Sequence, residues 1–577
     1  MYPKLVKAKG LTYLRLIERV KVNNKWGDRV VANLGRQDIL GREALGNLLK
    51  KLRRFTDEVL VTPEEIESRQ AKDYGPLLVG KKLWEEIGLA QWLGECCGKS
   101  KGVSLGEPGV LAMALNRLVA PKSKLALYHW MPSVYLAQWQ DKKFEVPDDP
   151  DVYAERFYQT MDWLIQGKNK EKIEERIAAW ARTLFPVQVA LYDLTNVQFE
   201  GWQELKQARH GYVRLGKKNH KQVLLGLVLI EGMPVASQLF RGNRAEKTTL
   251  LWIKDKVKKQ FNMDRLIFVC DRGMISEDSL KAIESKQDGY IVALKRRRCE
   301  EVSPLLLEDT SKFSVIQQDR QGKPTLWAWE APAEESKRRI VVWNPIKAEE
   351  EKDKRGRVIK EFEEDLQHLE SRVKRGELKK AQAIVAAAER ILVQKHGKRY
   401  FRYQCDKEGS FEFGPNEEGR ALEERLDGKF VIKTTETSFS LKDIVFKYKD
   451  LMEVEDSFRE LKDFIRVAPV RHWRYRRVKA HFFICVLALL LERYLREKLK
   501  KAGLELSARE ALERLKNIKV VENRVGHLNL KYVTTPTQEL DKILAACGIF
   551  KLPRILSDGY SKGNHQPTRK LALKWLK

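Results

Sequence analysis

Residues 11–34 alternate apolar and polar positions on either side of Asn23-Asn24-Lys25-Trp26-Gly27, a period of two that predicts a β-hairpin. A helical spacing follows over about 37–55, with Leu45, Leu48, Leu49 and Leu52 on one face. This basic module fits a DNA-binding or dimerising role and a structural collar equally well. From about 76 to 184 the period is helical and rich in large rings: Trp84, Trp92, Trp130, Tyr135, Trp139, Tyr158, Trp163 and Trp180. Rings at such spacing are expected in the core of a helical bundle.

The register changes at Pro186. Strands are predicted at 187–194, 223–230 and 234–240, a helix at 245–260, a strand at 266–270, a helix at 277–285 and a strand at 289–294. The order β-β-β-α-β-α-β predicts a mixed sheet whose first and fourth strands each end in aspartate, Asp193 and Asp271. The pattern then breaks. Strand-like pieces at 325–330 and 339–343 precede a helix carrying Phe362, Leu366, Leu369 and Val373 in 4-3-4 steps, a second helix at about 378–393, and short strands at 400–404 and 428–434. About 140 residues inserted in a compact domain exceed a loop. Helices are predicted around 441–464 and 475–500.

A length of 577 residues predicts three or four domains. The expected division is a hairpin-plus-helix module at 1–60, a helical, DNA-binding domain at 61–185, a catalytic core in two parts at 186–297 and 439–502, an insertion domain at 298–438, and a C-terminal helical region and tail at 503–577. Lys and Arg outnumber Asp and Glu by 109 to 80, a net charge of +29 that points to a polyanionic partner. Seven scattered cysteines lack zinc-ligand spacing, which predicts reduced thiols and a cytoplasmic protein. The N-terminus lacks the apolar core of a signal peptide. The longest apolar run, 482–491, is about half a bilayer span and reads as a buried helix, so no membrane partner is expected.

Composition thus favours nucleic acid, and three acids supply the chemistry. Asp193 and Asp271 fall where apolar runs stop, and Glu455 lies in the run from Tyr448 to Lys462. Converging, they would form an oxygen-only cage of the kind that holds Mg²⁺ for phosphoryl transfer. On one continuous helix Tyr448, Glu455, Arg459 and Lys462 share a face while Glu453 falls opposite, which selects Glu455. Between Asp463 and Glu492 there is no acid, and Arg471, Arg474, Arg476, Arg477 and Lys479 accumulate around Trp473 and Tyr475, a candidate for phosphate-backbone contact. A second basic stretch, 209–221, fits either DNA contact or a solvated loop.

The residues Tyr192-Asp193-Leu194-Thr195, Gly242-Asn243, Cys270-Asp271-Arg272-Gly273, Tyr448, Glu455, Lys462 and Arg471-His472-Trp473 resemble those of insertion-sequence DDE transposases with a ribonuclease-H-like core, in the branch with a Tyr-x2-Arg-x3-Glu-x6-Lys signature. The signature arginine is replaced by Leu451, and Arg459, one turn beyond Glu455, is the substitute cation expected. The resemblance implies an α/β fold, a ribonuclease-H-like mixed sheet with flanking helices, interrupted by a mixed α+β insertion domain and preceded by the hairpin and helical domain. It implies Asp193, Asp271 and Glu455 as catalytic residues and ligands of two Mg²⁺ ions (Mn²⁺ able to replace them), with Tyr448, Arg459, Lys462, Arg471, Arg474, Arg476, Arg477 and Lys479 on DNA. It further implies cleavage of element ends and joining of 3′-hydroxyls to target DNA by a synaptic homodimer at the nucleoid of a bacterium or archaeon. In the insertion it suggests Trp327, Trp329 or Trp343 as a platform for a flipped base, though each also fits a core or sheet-face position. The competing expectations are a hydrolytic nuclease of the same fold and a non-catalytic DNA-binding descendant.

Overall fold

A computed structural model describes residues 1–22, 25–52, 66–99, 102–185, 189–200, 205–210, 221–245, 247–261, 266–271, 274–285, 287–294, 302–319, 321–334, 337–525 and 528–556. The chain separates into two compact units, one of residues 1–72, 518–535 and 551–577, the other of 73–517 and 536–550.

In the first unit, the expected hairpin is the pair Leu11–Val22 and Lys25–Arg36, with its turn residues 23–24 outside the described set. Tyr2–Ala8, outside the expected hairpin, adds a third antiparallel strand. The helix Arg42–Leu52 follows. Lys519–Val525 and Leu528–Val533 pair antiparallel within a four-stranded sheet that also contains Ile66–Asp73 and Ile555–Leu556. The stretch after 503, expected to be helical, therefore also carries strands that belong with the N-terminal residues. Val520, Val521 and Val533 supply the β-branched positions that suit a pleated surface, and only a long-range pairing could reveal their partner.

The second unit is built on a nine-stranded mixed sheet. Its first five strands in chain order are Val189–Gln198, Gln222–Ile230, Met233–Arg241, Ile267–Cys270 and Gly289–Ala293. They lie side by side as third, second, first, fourth, fifth: the first three antiparallel, the fourth parallel to the first, the fifth parallel to the fourth. This mixed α/β arrangement is consistent with the ribonuclease-H-like core implied above. Lys429–Thr434, Lys337–Trp343, Pro324–Glu334 and Ser314–Gln318 continue the sheet antiparallel from the Gly289–Ala293 edge, beginning with Ile432 opposite Ala293. Part of the span expected as a separate insertion is thus sewn onto the core sheet, because an edge strand with free backbone groups accepts another strand. The rest carries its own core, where Phe362, Leu366 and Leu369 of Pro345–Lys374 meet Ile384, Ala388 and Leu392 of Ala381–Val393.

Tyr475–Lys501 is buried along most of its length. It packs on the Met233–Arg241 strand on one side and on the helices Gly106–Val119 and Pro150–Leu164 on the other. The helical region is therefore wrapped on a core helix, and Trp84, Trp130, Tyr135, Trp139 and Trp163 are buried in it as expected. A polar fastening joins it to the sheet: on the helix Asn169–Leu184, Lys170 Nζ meets Glu174 Oε1 at 2.5 Å and donates to Ser237 O at 2.7 Å, while Ser237 N donates to Glu174 Oε1 at 2.8 Å. Among the described residues no helix is long and apolar enough to cross a membrane, and the described cysteines are free.

Candidate active site

Asp193 sits in the middle of its strand, not at its end. The strand continues to Gln198 because every residue from Ala190 to Gln198 has a partner on the antiparallel neighbour. What ends beside Asp193 is the parallel neighbour, Ile267–Cys270. The parallel register pairs Leu191 with Val269; two residues further on come Asp193, still within its strand, and Asp271, the first residue past the end of its own. Parallel strands run about 4.8 Å apart and side chains repeat every two residues, so the two acids stand level on one face, at the edge where the sheet's parallel half stops. Both are half-buried, and Asp193 Oδ1 accepts from Leu194 N at 2.7 Å.

Their joint field is felt by the groups beneath them. The Cys270 thiol is fully buried and held far above its usual range, first by burial, then by the charges of Asp271 and Asp193. The Tyr192 hydroxyl is pushed up by burial, with Asp193 adding to the effect. Met274 N closes a turn on Asp271 O, and Ser276 and Ser279 form the capping box that starts the helix Glu277–Glu284. Residues 272 and 273 of the motif lie outside the described set.

Around Glu455 the chain is not one helix. Leu441–Lys449 ends at Asp450, Leu451–Arg459 begins a new segment, and Glu460–Phe464 forms a π turn. The break corrects the single helical phase applied to residues 448–462. Within Leu451–Arg459 the two acids differ in burial. Val454, Ser457 and Phe458 face inward, whereas Glu455, Arg459 and Lys462 are exposed. Glu453 lies half-buried, so close to Gly232 that a Cβ there would meet its Oε2 at 3.0 Å, and burial pushes its carboxyl up, with Asp450 adding to the shift. Leu451–Arg459 packs on the Asp193 strand. Arg459 pairs with Asp456 at 3.0 Å. Tyr448, on the far side of the break, packs its ring on Phe430 at 5.6 Å. Among the described residues no three His, Cys, Asp or Glu side chains are gathered closely enough to hold a metal ion; the sheet brings the two aspartates level and leaves Glu455 on the outer face of the adjoining helix.

Residues 188–491 match a family profile described as a transposase DDE domain. The chain belongs to that family. No curated protein matches it. A solved structure, a cryo-EM structure of the piggyBac transposase synaptic complex with hairpin DNA, is similar over 78% of this chain and 82% of that one, at 10% identity and a TM-score of 0.35, a likeness too loose to bear on the geometry here.

In this DDE-family chain the basic stretch divides in two. Arg477 is a structural clamp: its guanidinium meets Asp162 at 3.1 Å and Glu155 at 3.2 Å and lies over the Tyr158 ring at 4.8 Å. Lys479 is tied to Glu171 at 3.1 Å. Both face the helical region because Tyr475–Lys501 is packed against it. Arg476 reaches Asp162 at 2.8 Å yet stays 56% exposed, Arg471 stays 74% exposed beside Glu200, and Arg474 is exposed with its guanidinium over Trp473. The acids that claim Arg477 stand seven residues apart on one helix face; that spacing was visible in sequence, but not which cation it meets. Of the second basic stretch, residues 211–220 lie outside the described set. Trp327 and Trp343 pack against each other at 6.1 Å and Trp329 against Phe313 at 6.3 Å, on the apolar cluster of the added strands.

Proposed function

We propose that this chain is a DNA transposase that cleaves the ends of an insertion sequence and joins the 3′-hydroxyls to target DNA. The observation that carries the reading is the parallel register that sets Asp193, within one strand, beside Asp271, just past the end of the next, in a chain of the DDE family. Two half-buried carboxylates whose fields reach the same buried thiol form an oxygen-donor edge that suits a hard divalent cation. With Glu455 they would hold two Mg²⁺ ions, or Mn²⁺ in their place, which supply Lewis-acid activation of the phosphodiester when bound.

The chain's own residues do the rest. The sheet fixes the two aspartates, so little reorganisation is needed at that edge. Arg459 and Lys462, exposed with Glu455, offer cations for the scissile phosphate, and Arg459 takes the place of the signature arginine that Leu451 lacks. Tyr448 lines the approach. Arg471, Arg474 and Arg476 hold the DNA backbone, with Arg477 and Lys479 fixing the platform that presents them. Residues 186–297 and 439–502 act as two halves of one core, and 298–438 as an insertion that grips the DNA end. Two element ends and a target imply a synaptic homodimer, working at the nucleoid with no membrane partner.

The test offers labelled end DNA and a plasmid target with Mg²⁺. Joined product is expected. Cleavage with no joined product would make the chain a hydrolytic nuclease, and DNA binding with neither product would make it a non-catalytic descendant.

A further inference from the structure

The three-stranded sheet of the first unit carries cations that no step at the aspartate edge uses. The first 36 residues hold nine Lys and Arg against two acids. Both acids are already engaged: Lys4 Nζ meets Asp28 Oδ2 at 2.7 Å, and Arg29 Nη2 meets Glu18 Oε2 at 2.5 Å. Tyr2–Ala8 pairs with the middle strand only from Leu11 to Ile17. Beyond Ile17 the register continues on one side alone, with Glu18 opposite Arg29, Arg19 opposite Asp28, Val20 opposite Gly27, Lys21 opposite Trp26 and Val22 opposite Lys25. Among the described residues these five pairs form a two-stranded ribbon that runs past the third strand for about 14 Å. Directly opposite residues of an antiparallel pair share a face, and successive residues alternate. Arg19, Lys21 and Trp26 accordingly lie on one face, Lys25 and Arg29 on the other. All four cations are exposed, and Trp26 is 64% exposed. Among the described residues neither Lys21 nor Lys25 makes an ion pair or a side-chain hydrogen bond.

Cations on both faces suit an element that sits between two walls of negative charge. The major groove of duplex DNA is such a place: at about 12 Å wide it admits a two-stranded β-ribbon, and phosphates line both of its sides. The minor groove, about 6 Å wide, leaves no room for two strands about 4.8 Å apart with their side chains. A second copy of the chain fits poorly, because a two-fold contact would set these cations against themselves. Trp26 gives the ribbon a large ring with one N–H donor, able to pack on bases and sugars. The third strand steadies the ribbon at its base, where Tyr2 Oη and Lys4 Nζ donate to the Asp28 carboxylate at 3.3 Å and 2.7 Å.

We propose that residues 18–22 and 25–29 form a DNA-binding arm that lies in the major groove of a duplex, with Arg19, Lys21 and Lys25 on backbone phosphates and Trp26 against the groove floor. The arm rests on the transposase reading only for the identity of the polyanion. It adds a DNA contact carried by the first unit to the exposed cations Arg471, Arg474 and Arg476 of the second.

The full-length protein is titrated against a fluorescent element-end duplex by anisotropy across a salt series, and its mass in solution is followed without DNA by light scattering. Arg19→Gln, Lys21→Gln and Lys25→Gln combined should make the slope of log K against log salt shallower by about two to three, with Tm unchanged. Trp26→Ala removes no charge, so it should weaken binding about tenfold or more at every salt concentration and keep the slope. Wild type should protect guanine N7 atoms, which face the major groove, from methylation at positions that the triple variant leaves open. An unchanged slope in the triple variant, an undiminished affinity in Trp26→Ala, or identical N7 protection overturns the arm. So does a variant whose mass in solution halves while its DNA binding stays intact, since the ribbon would then serve self-association. Joined product from wild type judges the transposase reading separately. Joined product with an unchanged salt slope in the triple variant discards the arm and keeps the transposase; a shallower slope without joined product does the reverse. Should the triple variant not fold, Lys21→Gln and Lys25→Gln are measured singly, each expected to lower the slope by about one, and an unchanged slope in both overturns the proposal.

Discussion

Asp193 and Asp271 owe their partnership to backbone register, not to their neighbours in sequence. Each is two residues beyond a paired position on adjacent parallel strands, so a one-residue slip of either strand would turn one carboxylate to the opposite face. Asp193→Asn and Asp271→Asn each keep size and lose charge. Both are expected to cut DNA cleavage by on the order of a thousandfold, the scale of a group that stabilises a transition state, with duplex affinity in gel shifts essentially unchanged. Loss of binding in parallel would make the acids structural. Glu455 is exposed, so Glu455→Gln should leave Tm unchanged and abolish cleavage in the same assay. Arg459→Ala should weaken cleavage strongly, and near-normal turnover would remove Arg459 from the site. The motifs that carried these acids were plain in the sequence. Their geometry was not: Asp193 read as a strand end because the apolar run weakens there, whereas the antiparallel neighbour carries the strand on to Gln198.

The helix Tyr475–Lys501 shows how an element's surroundings reassign its residues. In sequence it opens as a run of cations; in the fold Arg477 and Lys479 turn inward to Asp162, Glu155 and Glu171. Arg477→Ala is expected to destabilise the protein by about 1–3 kcal/mol, since it leaves partly buried carboxylates without their charged donor, whereas Arg471→Ala at an exposed position should cost well under about 1 kcal/mol. Chemical denaturation of the two variants separates clamp from contact surface. Further along, burial raises the Glu492 carboxyl from 4.5 to about 7, against the pull of Arg493. A folded value above the unfolded one means that this group's contribution is fully present below about pH 4.5 and is lost as pH rises through 7. Glu492→Gln removes that loss, so its stability relative to wild type should improve as pH rises from 4.5 to 7, by on the order of 3 kcal/mol. A flat difference in Tm across that window would show that Glu492 is not held protonated.

At the scale of the whole molecule, a net charge of +29 predicts that the proposed DNA affinity is steeply salt-dependent, because each phosphate neutralised releases counterions. Replacing Arg471, Arg474 and Arg476 together by alanine should make the slope of log K against log salt shallower by about two to three and weaken binding to all duplexes alike; an unchanged slope would place the DNA elsewhere. The sequence by itself determined the strand and helix order of the core, the buried aromatics of the helical region, the cationic balance and the acids worth testing. Those follow from local periodicity and composition, which a chain carries wherever it folds. Tertiary structure alone decided that the C-terminal strands join the N-terminal unit, that the inserted strands extend the core sheet, that two of the basic residues are fastenings, and that Asp193 stands level with Asp271. Each of those is a pairing between residues far apart in the chain, set by register and by which surface is buried against which, and no local pattern encodes its partner.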